Sequence, residues 1–147
     1  MEEAAPVPFD NVKSEDIIFK KEYKLIKKNE SYRLFIYIDK IFIHFKITEN
    51  KDISFFCYQN KYDYDTIIEL LQLDKTIFIN IEIIFDLIDN VVLNNNVKIK
   101  FDITNNINLK IKLIKDNQKH KYILILKKQK LNINEKFSLI FKELNTV

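Results

Sequence analysis

Residues 53–92 read ISFFCYQNKYDYDTIIELLQLDKTIFINIEIIFDLIDNVV. The segment opens on β-branched and aromatic residues, as a strand does, and then changes its hydrophobic period. Thr66 followed by Glu69 makes a capping-box pattern ahead of Ile67, Ile68, Leu70, Leu71 and Leu73, which predicts a short helix. Asn80 predicts the N-cap of a second helix over residues 81–93. There Ile81, Ile84, Phe85, Ile88 and Val92 fall on one face and Glu82, Asp86 and Asp89 on the other. With residues 74–79 between them, the two helices form a hairpin over about 65–93.

Both flanks have a period of two. Upstream, Ile41, Ile43, Phe45 and Ile47 alternate with Phe42, His44 and Lys46, the pattern of a half-buried strand. Residues 17–28, 32–39 and 53–60 predict three more strands, with short turns at Asn29-Glu30, Asp39-Lys40 and Asn50-Lys51. Downstream, Val97, Ile99, Phe101 and Ile103 alternate with Lys98, Lys100 and Asp102, and Leu109, Ile111 and Leu113 with Lys110 and Lys112. Residues 121–128 predict a seventh strand. The fold class expected is α+β, mainly β: a seven-stranded antiparallel sandwich or barrel with an inserted helical hairpin and a C-terminal helix.

Residues 1–16, with Pro6 and Pro8, read as a flexible leader, residues 17–133 as the head and residues 134–147 as the C-terminal helix. In this last segment Ile133, Phe137, Ile140, Leu144 and Val147 recur at spacings of 4, 3, 4 and 3, the a/d seam of a coiled coil. A helix packed on its own sheet gives the same pattern over so short a stretch.

The chain of 147 residues contains no glycine. Phosphate-cradling loops, dinucleotide-binding turns and nucleophile elbows need a backbone position that only glycine tolerates, so those enzyme classes are disfavoured. Isoleucine, lysine and asparagine share AT-rich codons, which accounts for part of the absence. Asparagine and aspartate are then left to carry the left-handed turns. The net charge is +3 and Arg33 is the one arginine, so bidentate phosphate or guanine recognition has a single donor. One cysteine, Cys57, permits neither an intrachain disulfide nor a CxxC metal site. An acidic N-terminus without a long apolar run, and no run long enough to span a bilayer, lead to the expectation of an intracellular, cytoplasmic or cytoskeletal protein.

Residues able to do chemistry are sparse. His44 lies on the less apolar face of a strand and His120 in a turn, without metal-ligand spacing, so no metal or cofactor is expected. Cys57, inside ISFFCY, reads as a small buried hydrophobe. Asp63 and Asp65 lack the glycine a calcium loop requires. Lys98, Lys100, Lys110 and Lys112, with Lys121 and Lys127, are expected on the outward faces of adjacent strands. Such a face blocks edge-to-edge aggregation, or it receives anionic lipid, nucleic acid or an acidic protein tail.

The order of four strands, a helical hairpin, three strands and an emerging helix resembles the head domains of the centriolar cartwheel and DNA end-joining scaffold superfamily. The segment quoted above is similar to the cartwheel strand-to-hairpin region, with FDLID closing the second helix. The resemblance spans residues 17–147 in topology. It implies a non-enzymatic assembly domain that homo-oligomerises or docks in a larger complex, through a parallel coiled coil and an apolar residue at a hairpin tip. In TNNIN that residue is expected to be Ile107, where family members carry a bulkier aromatic. The plan also resembles a pleckstrin-homology domain, KKNESYR standing where that family has a phosphoinositide-binding stretch, although the tryptophan of its last helix is missing.

Overall fold

The computed structural model describes residues 16–50 and 56–130. Four strands come first: β1 (Phe19–Lys27), β2 (Glu30–Ile38), β3 (Phe42–Glu49) and β4 (Phe56–Asp63). The helices α1 (Tyr64–Leu71) and α2 (Ile81–Leu93) follow, and β5 (Val97–Phe101), β6 (Ile107–Lys115) and β7 (Gln118–Lys130) close the order. All neighbouring strands are antiparallel, in the sheet order β1-β2-β3-β4-β7-β6-β5. The sheet curls until its edge strands β1 and β5 meet, so the barrel is nearly closed. The mainly β fold with an inserted helical hairpin is the one expected.

The turns show how a chain without glycine folds a meander. Lys28 and Asn29 join β1 to β2 with φ of 50° and 67°, and Asp116 and Asn117 join β6 to β7 with φ of 51° and 64°. Two positive-φ residues in a two-residue loop make a type I′ turn, whose twist suits the flanking strands. Asn29, Asn95, Asn105, Asp116 and Asn117 supply five left-handed positions, and Lys28 and Gln72 the others among the described residues. Asp39 builds the β2–β3 turn by accepting from the amides of Ile41 (2.8 Å) and Phe42 (2.7 Å).

The first helix starts earlier than the capping-box reading places it. Asp63, not Thr66, is the N-cap, and its carboxylate accepts from the Thr66 amide at 2.8 Å. The Thr66 hydroxyl, and then that amide, hold Asp63 below the ordinary aspartate value. At the other end Gln72 adopts φ 51°, and the Lys115 ammonium donates to the carbonyls of Leu71 (2.7 Å) and Gln72 (2.6 Å). A lysine of β6 thereby satisfies helix-end carbonyls that have no partner within the helix. Asn80 caps α2 as expected, accepting from the Ile83 amide at 3.0 Å.

The core lies inside the barrel. Phe45, Leu34, Ile36, Ile67, Ile84, Ile88, Ile107 and Leu109 are among its fully buried side chains. The buried face of α2 packs on β2, β3 and β6, while α1 packs on β4 and β7. Phe101 of β5 stands edge-on to Tyr58 of β4 (5.7 Å) and tilted to Tyr32 of β2 (6.0 Å), joining the two halves of the barrel.

Candidate functional site

Strand register assembles a lysine-rich surface. Lys98 of β5 lies directly opposite Lys110 of β6, and Lys112 opposite Lys121 of β7. All four point outward, because their neighbours Val97, Ile99, Ile111 and Leu113 are buried. Lys100 extends the β5 row and Lys119, opposite Ile114, extends the β7 row. Like charges directly opposite on one face destabilise a sheet. The cost registers at Lys112, which the charges of Lys98, Lys121 and Lys119 push below the usual lysine value. Residues 97–130 carry ten lysines against Asp102 and Asp116, a net +8, so the rest of the chain carries −5. Ile114, Ile123 and Ile125 stand exposed among these lysines, at 67%, 49% and 46%. Lys127 shares the outward parity but pairs with Gln59, at the edge of a separate cavity.

A second feature is the hairpin tip between β5 and β6, and here the expectation fails. Ile107 is fully buried: it begins β6, opposite Phe101 on one side and Leu126 on the other. The apolar residue at the tip is Ile103, wholly exposed, which the alternation had placed inward on β5. The strand ends at Phe101 because Asp102 folds the chain back. Its carboxylate accepts from the Thr104 amide (2.8 Å), the Thr104 hydroxyl (2.6 Å) and the Asn106 amide (3.0 Å). A readable signal was present, since an Asp-x-Thr sequence closes the same turn at Asp74-Lys75-Thr76.

The third feature is an apolar groove of about 340 Å³ beside the helical hairpin, walled by Leu73, Phe78, Leu87, Val91, Leu113 and Ile114. Exposed Ile77, Ile79 and Leu93 belong to the same helical hairpin.

The remaining chemistry-bearing residues have structural partners. His44 is buried, stacked on Tyr37 (4.4 Å), with Nε2 2.8 Å from Oδ2 of Asp39. Burial pushes the Asp39 carboxyl up, but the Phe42 and Ile41 amides and His44 outweigh it and hold it below the ordinary aspartate value. His120 lies within β7 rather than in a turn, opposite Leu113 and stacked on Tyr122. Cys57 is buried. On α2, Glu82 and Asp86 are exposed, whereas Asp89 binds Lys21 and Tyr23. Among the described residues no group of three histidine, cysteine or carboxylate side chains is placed to hold a metal ion. No helix among them is long and apolar enough to cross a membrane. Ile133, Phe137, Ile140 and Leu144, the expected coiled-coil seam, lie outside the described residues.

No protein-family model matches the chain, and no curated protein matches it. Among solved structures, the head domain of human CCDC61 is similar, with a TM-score of 0.58 at 8% identity, over 76% of this chain and 98% of that one. At that identity the likeness is one of fold, and the fold is that of a head domain, as the topology of the sequence implied.

Proposed function

We propose that this chain is a non-enzymatic assembly domain of the cytoskeleton or a comparable intracellular complex, which self-associates or docks through apolar contacts. One observation carries the reading: Ile103, a β-branched hydrocarbon, is wholly exposed at the end of the β5–β6 hairpin. Burying such a side chain is worth about 1.5–3 kcal/mol. The apolar groove beside α2 is the surface on a second copy suited to receive it. A protruding residue and a complementary pocket elsewhere on the same molecule are the two halves of a repeating contact. The seam of Ile133, Phe137, Ile140 and Leu144 would add a second contact, two chains zipping their C-terminal helices. The head-domain fold supports this reading, and so does the housing of His44 and Cys57 in packed surroundings.

Sedimentation of the full chain across concentration tests it. The wild-type chain should associate at micromolar to high-micromolar concentration. Ile103→Asp should weaken association through the tip, and Phe137→Asp with Leu144→Asp association through the helix. A wild-type chain that stays monomeric at high micromolar concentration overturns the proposal.

A further inference from the structure

The outward face of β5, β6 and β7 lies largely apart from that contact, meeting it where Lys112 and Ile114 border the apolar groove, and its composition points to a different partner. Lys98, Lys110, Lys112 and Lys121 form two directly opposed like-charged pairs, and none of them has an ion-pair partner among the described residues. The two carboxylates of residues 97–130 sit in the end turns, where Asp102 is occupied with backbone amides. Positive charge is thus concentrated in residues 97–130, with Lys98, Lys100, Lys110, Lys112, Lys119 and Lys121 on one face, while the rest of the chain is net acidic.

Three observations narrow the anion. First, the field is made of lysine, a strongly hydrated point charge, and arginine forks that grip phosphates in pairs are absent from it. Second, the aromatic residues of these strands, Phe101 and Tyr122, pack against the core and offer no platform for stacking bases. Third, Ile114, Ile123 and Ile125 stand exposed between the lysines, and a polyanionic strand would leave them in water. An extended acidic peptide would also follow one row of an array that spans three strands. Lysines distributed over an area with apolar side chains between them suit a surface that is itself extended, anionic and apolar just beneath. Lys100 carries the field around edge strand β5, to a cavity of about 300 Å³ that it lines with Lys27, Lys28, Glu30, Tyr32 and Phe101.

We propose that this face docks on an anionic phospholipid bilayer, the lysines held by the headgroup charge and the isoleucines resting at the headgroup–acyl boundary. The contact is additive and screened: each lysine near the surface contributes modestly, and salt weakens all of them together.

Co-sedimentation of the full chain with phosphatidylserine–phosphatidylcholine vesicles, against pure phosphatidylcholine vesicles, tests it. Binding is expected to the anionic vesicles alone and to fall at least tenfold as salt rises well above physiological strength. Lys98→Glu with Lys112→Glu should abolish it. Because these changes turn like-charged pairs into opposite ones, the melting temperature should hold or rise, which separates lost binding from lost folding. Lys75→Glu, on the loop between the helices, should bind as the unmodified chain does. Equal binding to both vesicle types, binding that survives the double reversal, or no binding at low salt overturns the proposal. So does reversal-sensitive binding of a glutamate-rich peptide or a duplex oligonucleotide by a chain that leaves the vesicles unbound. Ile103→Asp should leave vesicle binding intact, so this result and the self-association result fail independently.

Discussion

The Tyr23 phenol on β1 donates to Oδ1 of Asp89 on α2 at 2.7 Å, across 66 positions of sequence. The Lys21 ammonium meets the other carboxylate oxygen at 2.8 Å, so one aspartate fastens the helical hairpin to the edge strand of the barrel. Burial and the neighbouring Asp89 push the Tyr23 phenol up, which keeps it a donor. Tyr23→Phe is expected to lower stability by about 1 kcal/mol, the net worth of one hydrogen bond. Asp89→Ala should cost about 1–3 kcal/mol, since it strands a part-buried hydroxyl as well. Urea unfolding of the two variants and their combination, which should show non-additivity, checks the bond.

Acid should weaken the fold through Asp39 and Asp89. Burial pushes Asp89 up, but Lys21 and Tyr23 outweigh it, and both aspartates lie below their ordinary value in the folded chain. Groups shifted in this direction stabilise the fold fully above the unfolded aspartate value of about 3.9. Their contribution is lost as pH falls through the lower folded value. Asp39→Asn should remove its share, so unfolding free energy measured against pH should fall less steeply below about pH 4 than in the parent chain.

Glycine introduced at the type I′ turns should stabilise the protein. Lys28 holds φ 50° with a side chain ill-suited to that region, whereas Asn117 at φ 64° tolerates it better. Lys28→Gly is expected to raise stability by about 0.5–1 kcal/mol and Asn117→Gly by less, after the entropy glycine loses on folding. Thermal melts that rank the two in the reverse order would contradict the strain assigned to Lys28.

Ile103 and Ile107, four residues apart, should behave oppositely. Ile107→Ala opens a hole in a fully buried site and is expected to cost about 2–5 kcal/mol. Ile103→Ala removes a side chain that touches water, and the monomer should stay within about 0.5 kcal/mol of the parent. Denaturation at a concentration low enough to exclude association distinguishes them.

Which elements occur, and in what order, was legible in the chain because the period of burial is a local property. Ile81, Ile84 and Ile88 can share a buried stripe only on a helix, and Val97, Ile99 and Phe101 only on a strand. Asn80 announced its cap, and the asparagines their left-handed turns, through chemistry that needs no distant partner. The boundaries were less legible, because Thr66 and Asp63 both carry capping side chains and the β4 geometry selects between them.

The lysines were readable as outward-facing, but alternation cannot say which lysine faces which. Lys98 meets Lys110 and Lys112 meets Lys121 because the strands paired in that register, a choice made by the apolar residues on the other face. The hairpin tip was decided in the same way. Sequence alternation put Ile107 of TNNIN at the tip and Ile103 on the inward face, and the fold reversed the two. In the folded barrel Asp102 turns the chain, Ile107 is drawn between Phe101 and Leu126, and Ile103 is left in solvent. Local pattern assigns a residue to a face. Only the closing of a core, by filling its volume, decides which side chain is taken in.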